Sequence, residues 1–322
     1  MAGSVIGIDV GWSTRRQSSA VCRLSWHRHE VEWEIRRFRA TDEERRSAIL
    51  GVTGDHALSA VAVDGPLAPG FGPISRYRSA ERLLSRDDFQ RRVGKPGQSS
   101  SPNGRRLNEQ ANLAAMLVKD TESCCIEEAA HSVRIDRYAV VEAFPTTFLG
   151  VLIDRPEETS DHPGRKSDRY YAHLTEERYL DRFLESLLPG RKLAKALSTI
   201  TNHDDRAAMI CALTALCVAM GDYTAVGDSR YGWIILPPRH RFAAWAWRAV
   251  SRNEMREKKE KPPGKVRTQS PADARAHESD DQTHSPADAR RVAGLKHFAR
   301  AKLQELRDRR LLRTLIPTER RP

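Results

Sequence analysis

The sequence predicts an α/β fold in which three antiparallel strands lead into parallel strands of one mixed sheet flanked by helices, with a flexible basic C-terminal tail. Three observations predict it. Apolar runs of strand length alternate with helical segments over residues 1–250. The first elements follow the order strand, strand, strand, helix, strand, and nearly all of the net positive charge lies near the C-terminus.

The first four strands are predicted from apolar runs at residues 5–10, 18–26, 30–39 and 58–67. Thr41 and Glu44 predict a capping box at the start of a helix between the third and fourth runs. A helix between two strands is a crossover, so the fourth strand is expected to lie parallel to a neighbour, whereas the first three form a meander.

The rest of residues 1–250 completes the predicted domain. A helix at 75–85 carries Arg76, Arg78 and Arg82 on its outer face, and these are candidate ligands for substrate phosphate. The other predicted elements are helices at 107–118, 174–188, 191–200 and 202–220, a mobile Gly/Ser/Pro loop at 94–106, and strands at 137–150 and 231–237.

The charge is divided unevenly along the chain. Residues 1–240 hold 33 Lys and Arg against 32 Asp and Glu, whereas residues 241–322 hold 21 against 11. We expect a disordered charged linker at 251–290, in which the hexapeptide SPADAR occurs twice, fifteen residues apart, and a basic amphipathic helix at 291–322. A tail of this charge is expected to bind a polyanion such as nucleic acid.

The cysteines and the apolar runs exclude several classes of protein. The five cysteines lack the spacing of a zinc site or a disulfide framework, which indicates reduced thiols and a cytoplasmic location. The N-terminus does not resemble a signal peptide. The longest apolar run, 207–220, is too short to span a bilayer, so no membrane partner is expected.

Five acids form the candidate site. Asp9, Asp64 and Glu142 interrupt apolar strand runs, and Asp204 and Asp205 open a long apolar helix. The carboxyl ends of neighbouring parallel strands meet at one edge of a sheet, where ligands bind in open α/β folds. Converging carboxylates repel one another unless a cation lies between them, and Mg²⁺ prefers oxygen ligands.

Local explanations compete with this hypothesis. Asp9 and Asp64 precede Gly-containing turns, and Asp204 or Asp205 is a reasonable helix N-cap. No cap or turn explains Glu142. His203, beside Asp204, is a weaker candidate for proton transfer, because a histidine at a helix start is more often incidental.

Four separated stretches, GIDVGW, VAVDGPL, VEAFPTT and HDDRAAMICALTA, together resemble the family called domain of unknown function 429, which is regarded as predicted ribonuclease H-like nucleases. The resemblance covers residues 4–238. It implies that Asp9, Asp64 and Glu142 bind Mg²⁺ or Mn²⁺ together with an acid of the last helix. Because Arg206 and Ala207 separate the helix acids from the rest of the Ala-rich run, either Asp204 or Asp205 fits that position.

The resemblance implies metal-dependent hydrolysis of phosphodiester bonds in DNA or RNA. Two other functions remain open on the sequence. The first is an ATP-dependent phosphotransferase of the actin-like superfamily, whose first phosphate loop is similar to GIDVGWST. The second is a non-catalytic ribonuclease H-like scaffold that binds nucleic acid or a protein partner.

Overall fold

One mixed sheet organises the computed structural model, which describes residues 2–54, 56–94, 96–119, 134–135 and 139–260. The strands of this part of the chain are β1 (Gly3–Asp9), β2 (Ser19–Trp26), β3 (Glu30–Phe38), β4 (Leu58–Asp64), β5 (Val140–Ala143), β6 (Lys192–Leu193), β7 (Thr224–Asp228) and β8 (Gly232–Leu236). They lie in the order β6-β3-β2-β1-β4-β5-β8-β7. Neighbours are antiparallel in β1–β2, β2–β3 and β7–β8 and parallel elsewhere. The predicted mixed α/β sheet is therefore confirmed.

Helices flank the sheet on both sides. Within the described ranges they are α1 (Asp42–Thr53), α2 (Ser79–Leu83), α3 (Asp87–Arg92), α4 (Pro102–Lys119), α5 (Pro145–Gly150), α6 (Lys166–Glu176), α7 (Tyr179–Leu187), α8 (His203–Ala219) and α9 (Ala244–Glu260). One apolar core joins α5–α9 to one face of the sheet, and a second core joins α1 and α4 to the other. None of these helices is long and apolar enough to cross a membrane.

The crossover helix α1 begins as predicted. The Thr41 hydroxyl accepts a hydrogen bond from the backbone N–H of Glu44 at 3.4 Å. The Glu44 carboxylate turns to the backbone N–H of Arg39 at 2.8 Å, so it does not complete the capping box at Thr41. The helix returns the chain to β4, which pairs in parallel with β1 as expected.

A glycine brings α8 directly onto the sheet. A Cβ built on Gly7 would lie 2.0 Å from the backbone nitrogen of Ala212 and 2.2 Å from the carbonyl oxygen of Ala208. Only glycine permits this approach of a helix backbone to a strand. Asp9 lies two residues further along β1 and therefore on the same, α8-covered face.

Several predicted elements differ in the structure. The helix at 75–85 is shorter, because α2 begins at Ser79, and α3 follows it. The loop at 94–106 ends earlier, since α4 begins at Pro102. The segment 137–150 contains the four residues of β5 and then α5, which begins at Pro145. The segment 174–188 belongs to two helices, α6 and α7.

The prediction of a helix at 191–200 is wrong. Lys192 and Leu193 form β6 on the edge of the sheet, and the backbone N–H groups of Lys192 and Ala194 donate to the carbonyls of His29 and Val31. The predicted linker also starts too early, because α9 continues to Glu260. The remainder of the linker prediction and the basic helix at 291–322 lie outside the described residues.

Candidate functional site

Two aspartates lie side by side at the carboxyl ends of neighbouring parallel strands. Asp9 ends β1, Asp64 ends β4, and the two are register partners. Side chains alternate along a strand, so both carboxylates share the α8 face with Gly7 and Ala62. The structure thus brings together the first two acids that the sequence singled out.

The turn after Asp9 is fixed by its backbone. Gly11 donates its N–H to the Ser19 hydroxyl at 2.9 Å, and a Cβ at Gly11 would lie 2.2 Å from the carbonyl oxygen of Ser18. Ser13 caps the next residues, because its hydroxyl accepts from the N–H of Arg16 at 3.0 Å. Trp12 lies between them with 45% of its surface exposed, so an aromatic face lies three residues from Asp9.

The paired carboxylates are partly buried and hold protons unusually well. Burial raises the pKa of Asp9 well above its ordinary value, and the charges of Asp64 and Asp204 raise it further, whereas Arg165 lowers it. Burial, followed by the charge of Glu142, raises the pKa of Asp64 to about 7. Within the described part of the chain, no hydrogen bond or ion pair reaches either carboxylate group. The pair is uncompensated in the sense that no cation of the described residues contacts it directly.

The N-terminus of α8 adds two more acids near this pair. The side chain of Asn202 caps the helix by accepting from the N–H of Asp204 at 2.9 Å and of Asp205 at 3.4 Å. Neither aspartate is therefore the N-cap. Asp204 acts on the pKa of Asp9 more strongly than Asp205 does. The Asp205 carboxylate lies 3.7 Å from Arg37 Nε. This difference favours Asp204 over Asp205 as the partner of Asp9.

Glu142 does not join the two aspartates on their face of the sheet. It pairs in register with Val63, whose side chain belongs to the core under α1 and α4. There Arg78 Nη2 and Nη1 each donate to one Glu142 oxygen at 2.7 Å, and the backbone N–H of Leu67 donates at 2.8 Å. The predicted role of Glu142 as a metal ligand is not supported by this geometry, because a buried guanidinium already neutralises the carboxylate.

The three arginines predicted to bind substrate phosphate have different surroundings. Arg78 is 1% exposed and also donates to Glu81, so its prediction as an exposed phosphate ligand is wrong. Arg82 forms an ion pair with Glu257 of α9. Arg76 is exposed and lies over the ring of Tyr231, and its role stays a prediction.

A cavity of about 180 Å³ opens beside Asp64. Its lining includes the apolar side chains of Val10, Leu107 and Phe144 and the charged side chains of Arg78 and Glu142. The cavity provides space for one small group of a ligand next to the carboxylate pair.

The residues present fit a divalent cation in one particular way. In the ranges that the structure describes, no group of three or more His, Cys, Asp and Glu side chains is arranged to hold a metal ion. Mg²⁺ is commonly bound by only one or two carboxylates, with water and substrate phosphate as its remaining ligands. Asp9 and Asp64, buried and uncompensated, are a donor pair of this kind.

A second group of polar residues lies near Asp9 and was missed or underrated from the sequence. Arg165 contacts His203, and His203 contacts Asp168 at the start of α6. The one signal in the sequence was the position of His203 beside Asp204. Arg165 and Asp168 lie in a polar stretch with no strand or motif to indicate them.

Comparison of the chain with family models, with curated proteins and with solved structures finds no match.

Proposed function

We propose that this protein is a metal-dependent nuclease with a ribonuclease H-like domain, acting on DNA or RNA. The observation that carries the proposal is the pair formed by Asp9 and Asp64: two partly buried carboxylates in register on adjacent parallel strands, with no cationic partner in the described chain. Such a pair is costly unless a cation binds it.

The topology supports the ribonuclease H-like identity and the resemblance to domain of unknown function 429. A meander of three strands, a crossover helix and two further parallel strands give the order β3-β2-β1-β4-β5 at the centre of the sheet. The four sequence stretches that carry the resemblance fall on β1, β4, β5 and α8. Three of these elements supply the acids that face one another.

In this proposal the chain provides the binding and orienting groups. Asp9 and Asp64 would hold one or two Mg²⁺ or Mn²⁺ ions, and Asp204 would accept hydrogen bonds from water bound nearby. When bound, the ion supplies Lewis-acid activation of the phosphodiester and of the attacking water. Glu142 would have an indirect role, because its ion pair with Arg78 anchors the loop that leads away from Asp64.

The phosphotransferase alternative is less well supported. Actin-like phosphotransferases contain the fold twice, whereas the described residues form a single mixed sheet. A non-catalytic scaffold would share the fold but would not need two uncompensated carboxylates. The fold alone does not distinguish a non-catalytic scaffold from a nuclease.

The test is cleavage of labelled single- and double-stranded DNA and RNA with Mg²⁺ or Mn²⁺. We expect wild-type cleavage to be lost in EDTA and in Asp9→Asn and Asp64→Asn. Asp161→Asn is a matched control, since this aspartate is exposed in a 3-10 turn remote in sequence from the strand ends. Equal cleavage by the wild type and both site variants would overturn the proposal. Metal-independent binding without cleavage would favour the scaffold.

A further inference from the structure

An exposed arginine immediately before α6 contacts the first residue of α8. Arg165 Nη1 is 2.9 Å from His203 Nε2. His203 directly precedes Asp204, so this contact places the guanidinium at the N-terminal end of α8, where Asp204 lies. The positive charge of Arg165 also lowers the pKa of Asp9. No carboxylate of the described residues forms an ion pair with Arg165.

The contact with His203 determines which ring nitrogen accepts in the hydrogen bond to Arg165. A guanidinium has only donors, so Nε2 of His203 must accept and Nδ1 must carry the proton. Nδ1 lies 3.0 Å from each carboxylate oxygen of Asp168 and donates to that group. Asp168 and Arg165 thus hold the two ring nitrogens of His203 and fix the orientation of its imidazole.

Asp168 is itself held in place. It is 8% exposed and also accepts from the backbone N–H of Arg165 at 3.2 Å and from Arg206 Nη1 at 3.3 Å. The Arg165 side chain donates to His203, His203 donates to Asp168, and the backbone N–H of Arg165 also donates to Asp168, so these hydrogen bonds close a ring between α6 and α8. This ring restrains one edge of the guanidinium and leaves its remaining N–H donors without partners in the described chain.

The charge of the site requires such a group. A phosphodiester is an anion, whereas the charges of Asp64, Asp204 and Asp205 all raise the pKa of Asp9, so the proposed site is rich in negative charge. A guanidinium offers two parallel donors that match two oxygens of a phosphate group, and a restrained side chain loses little entropy when it binds. The residues that hold Arg165, His203 and Asp168, are mostly buried, whereas the free edge of the Arg165 guanidinium is exposed. This arrangement fits that role.

We propose that Arg165 binds the non-bridging oxygens of a substrate phosphodiester, and that His203 and Asp168 are positioning residues that hold its guanidinium toward the site. This inference rests on the proposed function for its choice of substrate. It adds a phosphate-binding residue that is distinct from the carboxylates and from the three arginines that the sequence indicated.

The first experiment measures binding of fluorescein-labelled oligothymidylate and oligouridylate in EDTA over a series of salt concentrations. We expect Arg165→Met to weaken binding about tenfold at low salt, as for loss of one charged hydrogen bond. The slope of log K against log salt should fall by about 0.7, the value for one phosphate contact on a single strand. Arg155→Met is the control, because Arg155 is exposed and pairs with Glu158 in a 3-10 turn.

Two variants of His203 test its positioning role. Gln retains a side-chain oxygen that can accept from Arg165, whereas Leu does not. We expect His203→Leu to reproduce most of the loss seen in Arg165→Met and His203→Gln to restore most of the affinity. If the contacts of His203 served only to join α6 to α8, these variants would change in thermal stability but not in salt slope.

Cleavage assays with Mn²⁺ on the same variants separate the two proposals. If the wild type cleaves and Arg165→Met has the same salt slope and KM as the wild type, the role of Arg165 is overturned and the nuclease proposal stands. Weakened binding in Arg165→Met without any wild-type cleavage would support the phosphate site and overturn the nuclease. Failure of the wild type to bind either oligonucleotide would overturn the role of Arg165, and the cleavage assay on double-stranded substrates would then decide on the nuclease.

Discussion

The uncompensated carboxylate pair should make the free energy of unfolding depend on pH, and the substitution Asp64→Asn should remove much of that dependence. Asp64→Asn keeps the size and polarity of the side chain and deletes its charge. If Asp64 is costly in the absence of a cation, the variant should be more stable than the wild type in EDTA, although it loses a proposed metal ligand.

The magnitude is set by the pKa of Asp64, which burial and the charge of Glu142 raise from 3.8 to about 7. The native state holds this proton more tightly than the unfolded chain, so native stability falls as the pH rises from 3.8 through about 7. At about 1.4 kcal/mol per pKa unit, the cost approaches about 4 kcal/mol at pH 8 and is less than half of that at pH 5. Partial contact with solvent reduces it, and we expect a gain of about 2–3 kcal/mol at pH 8.

Urea unfolding at pH 8 and pH 5 in EDTA measures the free energy of unfolding directly. The gain in Asp64→Asn should shrink by more than half at pH 5, and Asp161→Asn should change stability by less than about 0.5 kcal/mol at either pH. Added Mg²⁺ should stabilise the wild type by ligand linkage and stabilise Asp64→Asn much less.

Two results would refute this reasoning. The first is a wild type as stable as Asp64→Asn at pH 8, which would mean that the carboxylate is well solvated or has a partner. The second is a gain that does not change with pH, which would assign the effect to packing and not to charge. Either result would also weaken the case for a cation between Asp9 and Asp64.

Three further predictions follow from the buried groups and the tail. Glu142→Gln should lower the free energy of unfolding by about 3 kcal/mol, because it leaves Arg78 partly uncompensated. Arg78 also pairs with the buried Glu81, so urea unfolding should show a smaller loss in an Arg78→Met, Glu81→Met, Glu142→Met triple variant, which removes all three charges. Deletion of residues 261–322, which hold 15 Lys and Arg against 8 Asp and Glu, should weaken oligonucleotide binding and its salt dependence but leave Mg²⁺-dependent stabilisation unchanged. The thiols of Cys22, Cys211 and Cys217 are buried, which raises their pKa, so mass spectrometry should detect their alkylation only after unfolding.

The fold was most predictable where local signals were strong. Apolar runs located β1, β2, β3 and β4, and Thr41 located the start of α1. The helix order and the parallel pairing of β1 with β4 then followed from connection rules. Edge strand β6 was missed because two residues carry almost no pattern, and its backbone pairing with β3 outweighs their helical tendency.

The role of Glu142 was not predictable, because its strand is apolar on both faces. Val140 packs in one core and Val141 in the other, so alternation in the sequence does not indicate which face an acid at the next position occupies. Only the register, in which Ala143 and not Glu142 lies opposite Asp64, assigns Glu142 to the α4 side. Its partner Arg78 is 64 residues away and looked like part of a solvated helix face.

The contrast between the two faces of the sheet bears most directly on function. On one face the chain supplies its own cation, since Arg78 neutralises Glu142 in a buried bidentate pair. On the other face the covering helix α8 brings Asp204 toward Asp9 and so adds negative charge where a stabilising residue would be positive. The cap at Asn202 and the helix dipole account for acids in the first turn of α8, but they give Asp9 and Asp64 no partner. A fold that neutralises one buried acid internally and concentrates acids around two others supports our proposal that a cation from outside the chain binds there.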